Sequence, residues 1–560
     1  MATSDPLAPG SITSVRASAA TIWFHRDDLL LFIVCLVAAV PMLYLAANQF
    51  VEYDGFWHVF IAQQDNFRAF WWEYMHNDHP LLFYLALKVV VSFGHSVLLY
   101  RAIPVASGLG AVFVLGKITR KLSSSPFTPP LTALAFGLSM PAIELAISVR
   151  SYMFSIFFVL ISFYYFLDLL PRPGQAVTRG TRILFALSTI LALCSHYFSF
   201  FYVGASALLL LGCCVARSPL PRKTWLAHGL TFLPIVFVMW GLYHFHIRYN
   251  ADNLNHVPDY LWAAPEPKTK FLLRSLHSLF NFLSPWHIAS RGVFEKVAAA
   301  LVAAVIGATA FARSRALAPA FMLLVLLSEL AVAGCLDRYP FGGMMRQQFI
   351  LFPFAMLTAG VCLDQLFGVL RAPRLVWTIA GLLCVAVIAT SVSRFNAFPK
   401  RQEELFTREM QLFDAALPSP SAVYVDQFNL IGFFTHRHQW TWHFVGRLPM
   451  TTEVEEYSLT RGNRRMELLR DKLRWNIDFS DPTFFRDIAE SLRAAKLGSL
   501  AVFCVHQGPA AVTPDQQDAF QQKTFALAEA QHLRIRKFVP DGLNVYAEFT
   551  PAGQGDAASR

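Results

Sequence analysis

LLLFIVCLVAAVPMLYLAANQF, residues 29–50, carries no charge, and VEYDGFWHVF, residues 51–60, follows it directly. A bilayer core of about 30 Å takes about 20 helical residues at 1.5 Å each, so the first run reads as a membrane span. It is too long for a signal-peptide core and has no convincing cleavage site, so it is expected to stay as an anchor. Only polar sequence with Arg16, Arg26, Asp27 and Asp28 precedes it.

The rest of the chain extends that reading. The 560 residues are 55% hydrophobic and 15% charged, with a mean hydropathy of +0.43. Soluble chains carry about 25% charged residues. Here the charged fraction is about 11% over residues 1–392 and about 24% over 393–560. The composition predicts an α-helical polytopic membrane protein with a soluble C-terminal domain. It excludes a cytosolic enzyme, a disordered scaffold and a simple nucleic-acid binder, so no nucleic-acid partner is expected. The net charge of +10 belongs to the membrane part, where it reports topology and contact with membrane lipids. The eight cysteines form neither a disulfide framework nor a CxxC metal pair.

Apolar runs near 29–49, 102–116, 131–147, 153–170, 183–196, 198–216, 225–246, 295–312, 317–336, 347–370 and 375–392 predict about eleven transmembrane helices. The connectors Lys117–Lys121, Pro171–Arg182, Arg217–Lys223, Arg313–Arg315 and Arg371–Arg374 are basic and free of acids. The positive-inside rule puts them in the cytoplasm. The expected organisation is a cytoplasmic tail at 1–28, a membrane domain at 29–392 with a first outer loop at 50–101, and a periplasmic domain at 393–560. Leu81–Phe93 is too short to span and reads as an interfacial helix. Residues 183–216, interrupted at Ser195-His196-Tyr197, read as a hairpin with its tip at the outer face.

The C-terminal part reads as α/β. Strands are expected at Ala422–Val425 and Leu500–Val505, a helix at Asn429–His436, and a hairpin of Leu533–Phe538 with Asn544–Phe549. No glycine-rich phosphate loop and no GxSxG are present.

The first outer loop is the chemically unusual segment. Aromatic residues alternate there with Asp54, His58, Asp65, Glu73, His76, Asp78 and His79. Aromatics suit the headgroup level, but carboxylates gain nothing from an anionic lipid surface. Asp54 opens a helical stretch with Trp57 and His58 on the same face, where a shielded carboxylate suits a general base. It equally suits a helix N-cap. Asp78 or His79 would cap the next helix, with Pro80 at its first position. Arg101, Arg150 and Arg346 stand at span ends, where interfacial snorkelling is the ordinary explanation. His196, inside apolar sequence, needs a partner, either backbone or ligand.

Asp54-Gly55-Phe56-Trp57-His58, then Asp78-His79-Pro80-Leu81-Leu82-Phe83-Tyr84, Phe93-Gly94 and Arg101, resemble the N-terminal signature of the GT-C glycosyltransferases. These are polytopic enzymes that use polyprenyl-phosphate-linked sugars, such as protein O-mannosyltransferases and lipid A aminoarabinose transferases. Ala146–Tyr152 looks like the family's second outer loop, and Arg346–Pro353 resembles its later RY-x(3–4)-P element. Two positions depart from the pattern. Arg150, Tyr152 and Met153 stand where some members carry an Asp in the second outer loop, and His196 where some carry a Lys.

The resemblance implies an inverting glycosyltransferase that moves a sugar from a polyprenyl-phosphate donor to a lipid, glycan or protein hydroxyl outside the membrane. Asp54 would be the base and Asp78 its support. His79, Arg101, Arg150, His196 and Arg346 would hold the donor phosphate, and Trp57 and His58 would belong to the substrate loop. His196 in place of Lys would make phosphate recognition pH-sensitive. No cofactor is expected and no metal ligand is assigned, although the sequence leaves a divalent metal open. The alternative reading is a transporter or flippase of a lipid-linked sugar, and a third is a non-catalytic receptor. Transporters usually carry paired repeats with broken helices at midplane, which this sequence does not show.

Overall fold

The computed structural model describes residues 28–49, 51–171, 176–216, 222–250, 261–263, 265–283, 317–342, 345–370, 372–395, 402–417, 422–449, 453–505, 513–541 and 544–552. Most of the expected tail at 1–28 and the expected span at 295–312 lie outside these residues. Among them, seven helices are long and apolar enough to cross a membrane, or eight if one bent pair counts as a span. The chain is a multi-pass membrane protein with a C-terminal sheet domain.

The first span is α1 (Leu29–Asn48). Four short helices build the first loop: α2 (Tyr53–Gln63), α3 (Phe67–Met75), α4 (Leu81–Val91) and α5 (Val97–Tyr100). At eleven residues α4 is too short to span, as its sequence implies. The second long helix is α6 (Ala102–Leu122). The apolar run at 131–147 is broken into α7 (Thr128–Gly137) and α8 (Met140–Ile147), which meet at 57°. The break has a local cause. Ser139 caps α8 through the Ala142 N–H, and Pro141 sits in its first turn, where a proline fits a helix start but cannot continue α7. Then follow α9 (Ser151–Leu169), the short pair α10 (Arg179–Leu193) and α11 (Ser199–Ala216), and α12 (Arg222–Leu242). Later come the helices Ala318–Cys335, Leu351–Val369 and Pro373–Arg394.

Ion pairs lock one end of the bundle. Asp28, before α1, meets Lys117 at 2.9 Å and Arg120 at 2.5 Å on the last turns of α6, so α1 and α6 run antiparallel. At that same end Lys121 pairs with Asp168 at 2.7 Å, and Asp364 accepts from the Ser124 and Ser125 amides. The first loop, the 148–150 connector and the 336–350 connector therefore share the opposite end.

The C-terminal domain is a seven-stranded mixed sheet. Its strands are β1 (Ala422–Val425), β2 (Thr441–Arg447), β3 (Val454–Arg461), β4 (Arg464–Asp471), β5 (Leu500–Cys504), β6 (Leu533–Asp541) and β7 (Asn544–Pro551), in the order β2-β3-β4-β1-β5-β7-β6. Strand β1 lies parallel to β4 and β5; the other pairs are antiparallel. Both faces of β1 are covered, which is why its sequence is continuously apolar: Val423 and Val425 face one core, Ala422 and Tyr424 the other. The first core also takes Val51, Phe56, Val59 and Phe60 of the first loop, together with Phe433 and Phe434 of the helix Gln427–Arg437. Sheet domain and first loop thus share one hydrophobic core.

Candidate functional site

Asp54 is the second residue of α2, and the N-cap position belongs to Glu52, whose side chain makes no capping bond. The capping explanation of Asp54 is therefore not realised. Its carboxylate turns to two other connectors: Oδ2 pairs with Arg150 Nη2 and lies 3.2 Å from Arg346 Nη1. The Arg150 side chain is buried while Asp54 is half-exposed. Arg150 Nε also lies 3.3 Å from Glu52 Oε1, and Ser148 Oγ donates to the same Glu52 oxygen. Three connectors that are far apart in sequence thus meet on one carboxylate.

Gly55 makes this meeting possible. A Cβ there would stand 2.7 Å from Val51 Cγ1 and 3.3 Å from Val149 Cβ. The neighbour of Arg150 can approach α2 only because that side chain is missing.

Behind Asp54 lies a row of imidazoles. His58 donates from Nδ1 to the Asp54 carbonyl at 2.7 Å. The His79 ring centroid is 5.1 Å from those of both His58 and His196, and the His196 ring lies 4.5 Å from Tyr152. Burial, then the charge of Arg346, holds His58 down to about 3. Burial, then the neighbouring imidazoles, holds His79 well below the usual histidine range. His196 Nδ1 accepts the Phe198 N–H at 3.1 Å, so that nitrogen carries no proton. The row is therefore neutral. It can offer N–H or lone-pair contacts to a phosphate.

Three further expectations meet a different geometry. Arg101, 1% exposed, donates to the carbonyls of Ile147 at 2.6 Å, Ala46 at 2.8 Å and Gln49 at 2.7 Å. It fastens the end of α1 to the end of α8, with the charge of Glu52 felt beside it. Neither Asp78 nor His79 caps α4; Pro80 holds the N-cap position, and the Leu82 amide finds its acceptor in the Cys194 carbonyl at 3.0 Å. Asp78 is exposed in the turn before α4, with its charge felt by Tyr84 and Tyr197. Trp57 turns to the sheet domain, with the Arg470 guanidinium 5.4 Å from its ring.

The sequence reading missed Glu52, Ser148 and the β4 anchor of the loop. Arg470 on β4, itself buried, pairs with Glu73 of α3 at 2.6 Å and Glu455 of β3 at 3.3 Å. At the far side of α3, Asn250 Nδ2 donates to the Met75 carbonyl at 2.8 Å. Among the described residues, no group of three or more His, Cys, Asp or Glu is placed to hold a metal ion.

No family model and no curated protein matches the chain. Solved structures do. The Archaeoglobus fulgidus oligosaccharyltransferase in its apo form aligns with 96% of this chain and 76% of its own, at 11% identity and a TM-score of 0.50. Cupriavidus metallidurans ArnT bound to undecaprenyl phosphate aligns over 70% of each chain at 15% identity and a TM-score of 0.42. The Saccharomyces cerevisiae protein O-mannosyltransferase Pmt1–Pmt2 complex bound to the sugar donor aligns over 42% of this chain and 34% of its own, at 14% identity and 0.32. Among these, the archaeal alignment carries the fold comparison: over nearly its whole length the chain shares the fold of a structure from the class of enzymes that its sequence resembles.

Proposed function

We propose that the protein transfers a sugar from a polyprenyl-phosphate donor to a hydroxyl of a lipid, glycan or protein at the outer face of the membrane. The observation that carries this reading is the Asp54 carboxylate, which does not cap its helix and has both guanidiniums on one oxygen, Oδ2. Oδ1 then takes the proton of the acceptor hydroxyl. The acceptor oxygen attacks the anomeric carbon, the bond from that carbon to the phosphate oxygen breaks, and the electron pair leaves with the polyprenyl phosphate. The sugar inverts. Charge grows on the leaving phosphate, where Arg150 and Arg346 stand ready to neutralise it. His79 and His196 supply neutral contacts, and Arg101 fixes the two loops that carry the charged groups.

The fold shared with an oligosaccharyltransferase supports the transferase reading over the transporter. Placing Asp54 six residues past the end of α1 also puts the site at the end of a span, within reach of a lipid-anchored donor. The test is Asp54→Asn, which keeps the shape and removes the proton acceptor. Expression and thermal stability should stay near wild type while transfer from a polyprenyl-phosphate sugar falls roughly 10²–10⁴-fold, the usual worth of a general base. Full activity in this variant removes Asp54 as base. Movement of intact lipid-linked sugar without transfer favours the flippase.

A further inference from the structure

A cavity lies where the first loop meets the sheet, and none of the Asp54 cluster lines it. It measures about 380 Å³ and is lined by Asn66, Arg68 and Trp72 from the start of α3 and by Phe444, Arg447 and Glu455 from β2 and β3. That volume is in the range of small-ligand sites, which favour seams between domains.

Its walls combine two chemistries. Phe444 gives aromatic surface, the Trp72 ring is already covered by two cations and by the His76 ring at 4.1 Å, and the buried Trp72 indole N–H has no partner among the described residues. The Arg447 guanidinium lies 4.3 Å from the Trp72 ring and Lys472 Nζ 4.4 Å from it. Glu455 is met by Lys472 at 3.1 Å, Arg470 at 3.3 Å and Arg447 at 3.9 Å, and Glu73 shares Arg470 and Lys472, so two carboxylates stand against three cations. Asp65 is drawn to the flank by His443 at 2.6 Å. Arg68 meets no carboxylate among the described residues. Arg68 and the surplus cation of the Arg447 cluster therefore leave positive charge beside Phe444, with the Asn66 amide and the Trp72 indole N–H in the same wall.

The geometry points to a binding site for an acidic sugar, a carboxylate- or phosphate-bearing glycan unit whose ring packs on Phe444, whose hydroxyls meet the Trp72 indole N–H and whose anion meets Arg68 and Arg447. An acidic peptide would have to add to the open edge of β2, but the β2–β3 register is irregular between Phe444 and Gly446, which spoils an edge for strand pairing. Identifying the occupant as the acceptor of the transfer rests on the proposed function; the binding itself does not.

The full chain in lipid nanodiscs, titrated calorimetrically with trigalacturonate, tests this. Trigalacturonate should bind at least tenfold more tightly than neutral galactotriose or tetraglutamate. Arg447→Met and Arg68→Met should each weaken it about ten- to a hundredfold, the loss expected for a charge-assisted hydrogen bond. Arg68 is exposed and unpaired with any described carboxylate, so its variant should keep the wild-type thermal transition. Asp54→Asn should bind as tightly as wild type, which separates failure of this site from failure of the transferase reading. Equal binding of galactotriose or of tetraglutamate, absence of trigalacturonate binding, or binding unchanged in both arginine variants would overturn the assignment.

Discussion

Gly55 sets two physical rules against each other. In a helix, glycine to alanine normally stabilises by about 0.8–1 kcal/mol. Here the added Cβ would press on Val51 and on Val149, next to Arg150. Val51 can turn its side chain, but Val149 is fixed in the extended connector, so relief comes from moving that connector away from Asp54. A misplacement of about 1 Å can cost about a hundredfold in rate. Gly55→Ala should therefore keep or raise the thermal transition while transfer falls at least about tenfold. Unchanged activity would show that the close approach of the two loops is not needed. At this scale the sequence was partly legible. Placement at the ends of apolar runs did not separate Asp54, Arg150 and Arg346 from caps and snorkelling residues; the GT-C resemblance singled them out, and the structure brings them together. Arg101 has the same signal and a different task, because a guanidinium satisfies carbonyls as well as it pairs with anions. Glu52 gave no signal, since nothing in a sequence separates a glutamate that meets an arginine from a solvated one.

The element most exposed to a single pair is α3, the helix that carries Glu73. Arg470 reaches it from β4 with both partners nearly dry, and such a pair is costly to break from one side: about 3–5 kcal/mol, because the remaining charge stays buried. Glu73 would keep only Lys472, at 3.8 Å, after Arg470→Met. Single variants Arg470→Met and Glu73→Gln should each lower the thermal transition markedly. The double variant should lose less than the sum, with a coupling of about 1–3 kcal/mol. Additive losses would mean that the loop and the sheet are held by their shared apolar core alone. The strands that make this contact were hidden in the sequence. The sequence pattern assigns no strands to VEEYSLTR and RRMELLRD, residues 454–461 and 464–471, where charges interrupt the apolar pattern, although Gly462-Asn463 between them is a hairpin signal and Gly462 has φ of +59°. Strands β1 and β5 were legible because both of their faces are buried.

For the whole molecule, contacts place the sheet and the start of α1 at opposite ends of the helix bundle, whatever the number of spans. The start of α1 and the end of α6 are tied at Asp28, so the basic connector after α6 marks one end of the bundle. The helix Leu351–Val369 belongs to that end through Asp364, near its C-terminus, and the next helix, Pro373–Arg394, begins there. It leads to the sheet, which shares its core with α2 at the opposite end. The start of α1 and Arg374 therefore lie at one end, and Asp54 and the sheet at the other. The positive-inside rule predicts that the first end is cytoplasmic. In a variant lacking all eight cysteines, Ala519→Cys on the exposed face of the helix Pro514–Ala530 should react with a membrane-impermeant maleimide in cells whose outer membrane alone is opened. Ala372→Cys, exposed beside Arg374, should react only after the inner membrane is permeabilised. The reverse pattern would put the Asp54 carboxylate in the cytoplasm. Both sites labelling from the same side would contradict the antiparallel contacts that place the sheet over the first loop.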